Sequence, residues 1–338
     1  VPHVPHVQLP RGVGEHGQAV ELLPGRILGD VERTLAFPEL LGFALHRLGL
    51  VRFFHRKRRI IWLLAALLVS ASATAQVAAT VDGVQMPAWV ARGGARLPLT
   101  PGMELRAGDE IHAGEGARVV IKLAEGSLVK LGQNGKLRFV QLDPVREAFR
   151  AALNVLEGAF RFTTDVISKT RRREVSIRLS GVTAGIRGTD VWGRSRPGNE
   201  IVCLIEGAVE VAADGEPPVT MDQPLQFYRR VQGATQPVGA VQPAQFEQWQ
   251  RETDLQPGAG VARAGGRFGV RLATLDDQGS ARDTYERLRA AGYPAEIQPT
   301  PDGLYHVHVG QLASRADAEA LAGRLRGSHG VAEPVVTE

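Results

Sequence analysis

Residues 267–338 run through one pattern twice, and few folds accommodate such a repeat. Each half offers a short alternating strand, a Ser-x-x-Asp helix start, an amphipathic helix and a glycine stop. The first strand is Phe268-Gly-Val-Arg-Leu-Ala-Thr-Leu275; its helix opens at Ser280-Ala-Arg-Asp283 and ends before Gly292. The second strand is Tyr305-His-Val-His-Val-Gly-Gln-Leu312; its helix opens at Ser314-Arg-Ala-Asp317 and closes on Arg324-Leu-Arg, with Gly327 and Gly330 beyond. Serine followed three residues on by an acid is a variant of the capping box, and glycine past the last turn supplies a left-handed residue. A third strand is expected at Ala295–Gln298 and a fourth at Val331–Val336. The order βαββαβ predicts a small α+β domain, an antiparallel sheet with two helices on one face. Alternation then sends Phe268, Val270, Leu272, Tyr305, Val307 and Val309 toward the helices, and Arg271, His306 and His308 to the free face.

The Tyr305-x-Val-x-Val-Gly310 strand and the Ser314-Arg-Ala-Asp-Ala318 helix start resemble the SPOR family of peptidoglycan-binding modules. The chain departs from the family where Arg271 and Ala273 stand in place of a glutamine and a glycine, and where Leu275 replaces an aromatic residue. The resemblance implies a face that meets glycan strands lacking stem peptides. Arg271, His306 and His308 are the candidate glycan contacts, able to donate to sugar hydroxyls and carbonyls. An ordinary polar sheet surface is the alternative.

Between residues 76 and 230 strand-like runs recur with glycine punctuation, as in Arg118–Leu123, Val175–Leu179 and Ile201–Ile205, so this part is expected to be all-β. Glu206-Gly207 reads as a tight hairpin between Ile201–Ile205 and Ala208–Ala212, and residues 145–157 as a strand. The spaced motifs Leu105-Arg-Ala-Gly-Asp-Glu-Ile111, Gly116-Ala-Arg-Val-Val-Ile-Lys-Leu123, Leu156-Glu-Gly158, Gly185-Ile-Arg-Gly-Thr189 and Leu204-Ile-Glu-Gly-Ala-Val-Glu-Val211 resemble the FecR family of periplasmic domains. That resemblance implies short strands rolled on one another and a surface for a ligand or an envelope protein partner. Arg187, Thr189 and Asp190 form a candidate functional turn; the plainer reading has Arg187 pairing internally to staple two strands. The basic run at residues 169–173 reads as a solvated loop or as an attractor of anionic polymer. Cys203 is the sole cysteine, which excludes an internal disulfide, and its apolar neighbours predict a buried thiol.

The leader explains the charge. The chain holds 40 Lys and Arg against 36 Asp and Glu; nine of those bases and five of those acids fall in residues 1–75, leaving 31 of each sign beyond. A basic pI that belongs to the leader gives no support to nucleic-acid binding. Residues 51–75 carry a basic stretch, an apolar run from Ile60 to Val69 and an Ala73-Thr-Ala75 cleavage site, which predicts export to the periplasm by a signal peptide. Left uncleaved, the same segment is an inner-membrane anchor. Residues 1–50 precede this signal, stay unassigned, and read as an extension upstream of a true start near Val51.

Residues 231–266, rich in Gln, Pro, Gly and Ala, read as a linker, with a short helical turn around Phe246 and Trp249, that lets the end module search. No cofactor or metal is implied; His306-x-His308 lacks a third ligand. The leading expectation is an exported, non-catalytic envelope protein. A membrane-anchored regulatory sensor and a cell-wall hydrolase accessory are the competing readings.

Overall fold

A strand of sixteen residues organises the larger part of the molecule by serving two sheets. The computed structural model describes residues 77–144, 148–164, 172–186 and 188–338. Residues 1–50, the expected signal segment 51–75, residues 169–171 of the basic run and Arg187 lie outside the described residues. Within the unit Gln76–Glu338 the chain begins with β1 (Ala79–Gln85), β2 (Ala88–Arg92), β3 (Ala95–Pro98), β4 (Glu104–Leu105), β5 (Glu110–Ala113), β6 (Arg118–Leu123), β7 (Leu128–Leu131) and β8 (Lys136–Pro144). The long strand β9 (Ala148–Thr163) follows, then β10 (Arg172–Arg178), β11 (Val182–Ile186), β12 (Asp190–Arg196), β13 (Asn199–Glu206), β14 (Val209–Ala213), β15 (Val219–Met221) and β16 (Gln226–Val231).

One sheet runs β1–β6–β7–β9–β12–β13–β16, antiparallel throughout. The other runs β3–β2–β5–β8–β9–β10–β11–β14–β15, with β9 and β10 parallel. β9 pairs with β8 as far as Glu157 and with β7 from Phe160, so it changes sheets between them. Gly158 makes the change possible: its φ is 90°, and a Cβ there would stand 2.6 Å from the Gly135 Cα. Phe139, Phe160, Phe162, Ile111 and Ile121 close the space between the sheets. Each such side chain contributes about 1.5–3 kcal/mol on burial.

The expected hairpin at Glu206-Gly207 does not form. β13 pairs with β12 and β16 in one sheet, whereas β14 pairs with β11 and β15 in the other. Gly207, at φ 87°, turns the corner between them. Two adjacent apolar strands with glycine between them look the same in sequence whether the chain folds back or crosses over.

The C-terminal part follows the βαββαβ order: β20 (Phe268–Leu275), a helix, β21 (Glu296–Pro299), β22 (Tyr305–Leu312), a second helix and β23 (Val335–Thr337). The sheet order is β23–β20–β22–β21. The first helix starts earlier than Ser280. Asp277 caps it, its side chain accepting from the Ser280 backbone N–H, so the helix covers Gln278–Ala290. In the second, Arg315–Leu325, Ser314 is the cap as expected, accepting from the Asp317 N–H at 3.1 Å.

Residues 231–266 are not a flexible tether. They hold β17 (Ala234–Thr235), β18 (Gly239–Ala240), the helix α1 (Pro243–Thr253) and β19 (Val261–Arg263); the two later helices are α2 (Gln278–Ala290) and α3 (Arg315–Leu325). The aromatic residues of this segment, in α1, face inward: Trp249 stacks on Trp192 with centroids 4.6 Å apart, and Phe246 and the nearby Val241 join the same cluster. Long-range partners satisfy its polar groups. Arg118 donates to the Arg251 carbonyl at 3.0 Å, and Lys130 meets Asp254 at 2.6 Å. The buried Asp317 carboxylate accepts from the N–H groups of Gly258, Gly260 and Val261 at 2.8, 3.2 and 2.9 Å. β19 pairs with β1 on one side and meets β22 at Ala262–Leu312 on the other, joining the C-terminal sheet to the β domain. Arg324 adds a bond to the Met86 carbonyl at 2.6 Å. At Gly292, whose φ is 93°, a Cβ would lie 3.1 Å from the Trp89 ring and 3.3 Å from the Ala88 nitrogen, tighter than ordinary contact, so glycine favours this approach.

Candidate functional site

The C-terminal sheet buries one face and frees the other. Val270, Leu272, Val307 and Val309, each 0–1% exposed, pack with Ala281, Leu288, Ala318 and Leu321 of α2 and α3. On β20 the register shifts between Arg271 and Ala273, so Leu272 is the extra residue of a bulge. Plain alternation from Arg271 would turn Ala273 outward; the bulge instead sets Thr274 opposite His306.

Two cross-strand rows result. In the first, Glu296 of β21 lies opposite His308 of β22, which lies opposite Arg271 of β20. In the second, Gln298, His306 and Thr274 line up in the same way. The three candidate contacts therefore meet on adjacent strands, about 5 Å apart across each pair. His308 Nε2 stands 3.6 Å from the Glu296 carboxylate. No carboxylate or carbonyl among the described residues takes the Arg271 guanidinium in an ion pair or hydrogen bond, which leaves a charged donor available. Asp302, in the turn before β22, is held below the ordinary carboxylate range, chiefly by its bond with the Thr300 side chain and least by the nearby His306. Glu296, Thr274 and Gln298 complete the rows and were not singled out in the sequence. The Glu296-Ile-Gln298 alternation marks two of them; Thr274 depends on the bulge.

Beside Arg271 the row opens into a hollow of about 310 Å³, lined by β20 from Arg271 to Leu275 and by Gly330, Ala332, Glu333 and Val335. The rows carry donors in Arg271 and the imidazoles, and acceptors in Glu296 and the Gln298 amide. Among the described residues no group of three His, Cys, Asp or Glu side chains is placed to hold a metal ion.

The second candidate site lies elsewhere, between β9 and β12. Asp190 is buried and held by Arg161 in a two-pronged pair, at 2.9 and 2.6 Å. Asp190 first by hydrogen bonding and then by its charge raises the Arg161 pKa, against the cost of burial. The Thr189 N–H donates to the Thr164 hydroxyl at 3.1 Å, and that hydroxyl donates to the Thr189 carbonyl at 2.9 Å. Both residues thus tie two strands together, with Arg161 as the staple. Cys203 is fully buried, and burial pushes its thiol up to about 12. His112 stacks on Trp89, centroids 5.2 Å apart; burial lowers its pKa more than the adjacent Glu110 raises it.

Residues 109–210 match the family model described as FecR protein, and residues 264–337 match that of the SPOR domain. The chain therefore carries a FecR segment followed by a C-terminal SPOR domain. Two crystal structures of a candidate anti-sigma factor from Parabacteroides distasonis ATCC 8503 are similar at 13% identity. One match covers 64% of this chain and 89% of that one with a TM-score of 0.35; the other covers 68% and 98% with a TM-score of 0.36. No curated protein matches the chain significantly. No helix among the described residues is long and apolar enough to cross a membrane.

Proposed function

We propose that this protein is an exported, non-catalytic component of the bacterial cell envelope that holds peptidoglycan on the free face of its SPOR sheet. The ligand is a glycan strand lacking stem peptides, and the FecR segment presents a surface to an envelope protein partner. The observation that carries the reading is the row Arg271–His308–Glu296, with an uncompensated guanidinium at one end, on the face of a SPOR domain turned away from its helices. The preference for strands lacking stem peptides is what the likeness to the SPOR family implies. The export signal at residues 51–75 supports a periplasmic location.

Co-sedimentation of the full chain with sacculi, untreated and after amidase removal of stem peptides, tests this. Retention is expected to rise on the stripped material. The double variant Arg271→Ala, His308→Ala is expected to bind about ten-fold or more weakly, with unchanged thermal stability, because neither side chain belongs to the core. No retention on either material would contradict the proposal.

A further inference from the structure

The row of the free face does not end at Glu296. Beyond that carboxylate lies a cleft of about 320 Å³ whose walls come from both domains: Pro294, Glu296, Gly310 and Gln311 from the SPOR domain, Thr100 and Pro101 from the β domain. The β-domain wall is rigid. Thr100–Met103 is a tight turn closed by the Met103 N–H on the Thr100 carbonyl, with proline second and Gly102 third at φ 83°. The Gly102 N–H is further fixed on the Val81 carbonyl at 2.8 Å, and the Leu99 N–H on the Ala88 carbonyl at 2.9 Å.

The opposite wall carries the other unusual feature. Gln311 holds φ 59°, a region that residues with a side chain seldom occupy and that tends to persist where function requires it. Next to it, Gly310 faces open space where a Cβ would meet nothing within 4 Å. The cleft thus offers two proline faces, a hydroxyl, a carboxylate and an amide around a bare backbone floor. Proline rings suit the apolar face of a sugar and an acetyl methyl. Thr100, Glu296 and Gln311 supply donors and acceptors for hydroxyl and amide groups.

We propose that this cleft is a second subsite, for an N-acetylated sugar of the same strand that occupies the Arg271–His308 row, and that the β domain thereby takes part in reading the glycan. The inference rests on the glycan reading above. It adds that the β domain is a wall of the binding site and not merely its neighbour. Two elements fixed before the ligand arrives lose little freedom on binding.

The test measures affinity of the full chain for soluble glycan strands stripped of stem peptides. Thr100→Trp fills the cleft and is expected to weaken binding about ten-fold. Gln311→Gly keeps the backbone conformation, removes the amide and relieves the positive φ. It is expected to weaken binding about three-fold or more with an unchanged or higher Tm. Arg271→Ala reports on the row itself. If Thr100→Trp and Gln311→Gly bind as the parent does while Arg271→Ala is impaired, the cleft is no subsite and the proposal is overturned, with the row intact. If the parent chain does not bind stripped strands, both readings fall. Should Thr100→Trp fail to fold, Gln311→Gly alone decides.

Discussion

Cys203 shows how one buried residue fixes a chemical property of the whole chain. It sits on β13 with no exposed surface, among Trp192, Ile201 and Trp249. The nucleophile of cysteine chemistry is the thiolate, and burial raises this thiol from an ordinary 9.0 to about 12. Native protein at pH 8 is therefore expected to resist iodoacetamide, and unfolded protein to react at once; labelling at equal rates in both states would contradict the assignment. Because the folded pKa exceeds the unfolded one, the protonated thiol's contribution to stability is complete below pH 9. It declines as the pH rises from there through about 12. Arg161 makes the complementary point. Its pairing with Asp190 joins residues 29 positions apart, and nothing local in either stretch announces it.

At the scale of elements, α1 decides whether residues 231–266 act as a tether or as part of the fold. Trp249 stacks on Trp192 and meets Phe227 edge-on at 6.2 Å. Trp249→Ala is expected to cost about 3 kcal/mol, from lost burial and the cavity left behind, read as a lowered urea midpoint. A change below about 0.5 kcal/mol, the range of neutral surface substitutions, would mean the helix is not held. The sequence showed the aromatic pair but not its target, since Trp192 lies on a strand far upstream. Strand and helix order in the SPOR domain was legible because period and caps are local; the Ser314 cap is one case. The Asp277 cap, the crossover at Gly207 and the bulge at Leu272 were not. Each depends on a choice between local alternatives that tertiary packing settles. Of the candidate face, Arg271, His306 and His308 could be read from alternation, whereas the proposed cleft residues Thr100 and Gln311 required knowing how two distant segments meet.

The whole molecule joins its two domains through backbone as well as side chains. β19 bridges the sheets, Asp317 gathers the N–H groups of Gly258, Gly260 and Val261, and Gly292 lets α2 end against Trp89. A SPOR domain seated in this way is packed against the β domain through these contacts, so its free face is expected to keep one orientation to it. The proposed binding is therefore expected to be a property of the assembled chain, centred on the Arg271–His308–Glu296 row. The histidines provide a direct probe, because His306 and His308 lie on that row or beside it while His112 is stacked on Trp89 and His329 lies beside Tyr293. The decisive measurement is the ring NMR signals of these four histidines in the full chain during titration with glycan strands lacking stem peptides. The account predicts that His306 and His308 shift together and saturate while His112 and His329 stay in place. Unmoved signals from His306 and His308, or shifts confined to His112 and His329, would contradict it.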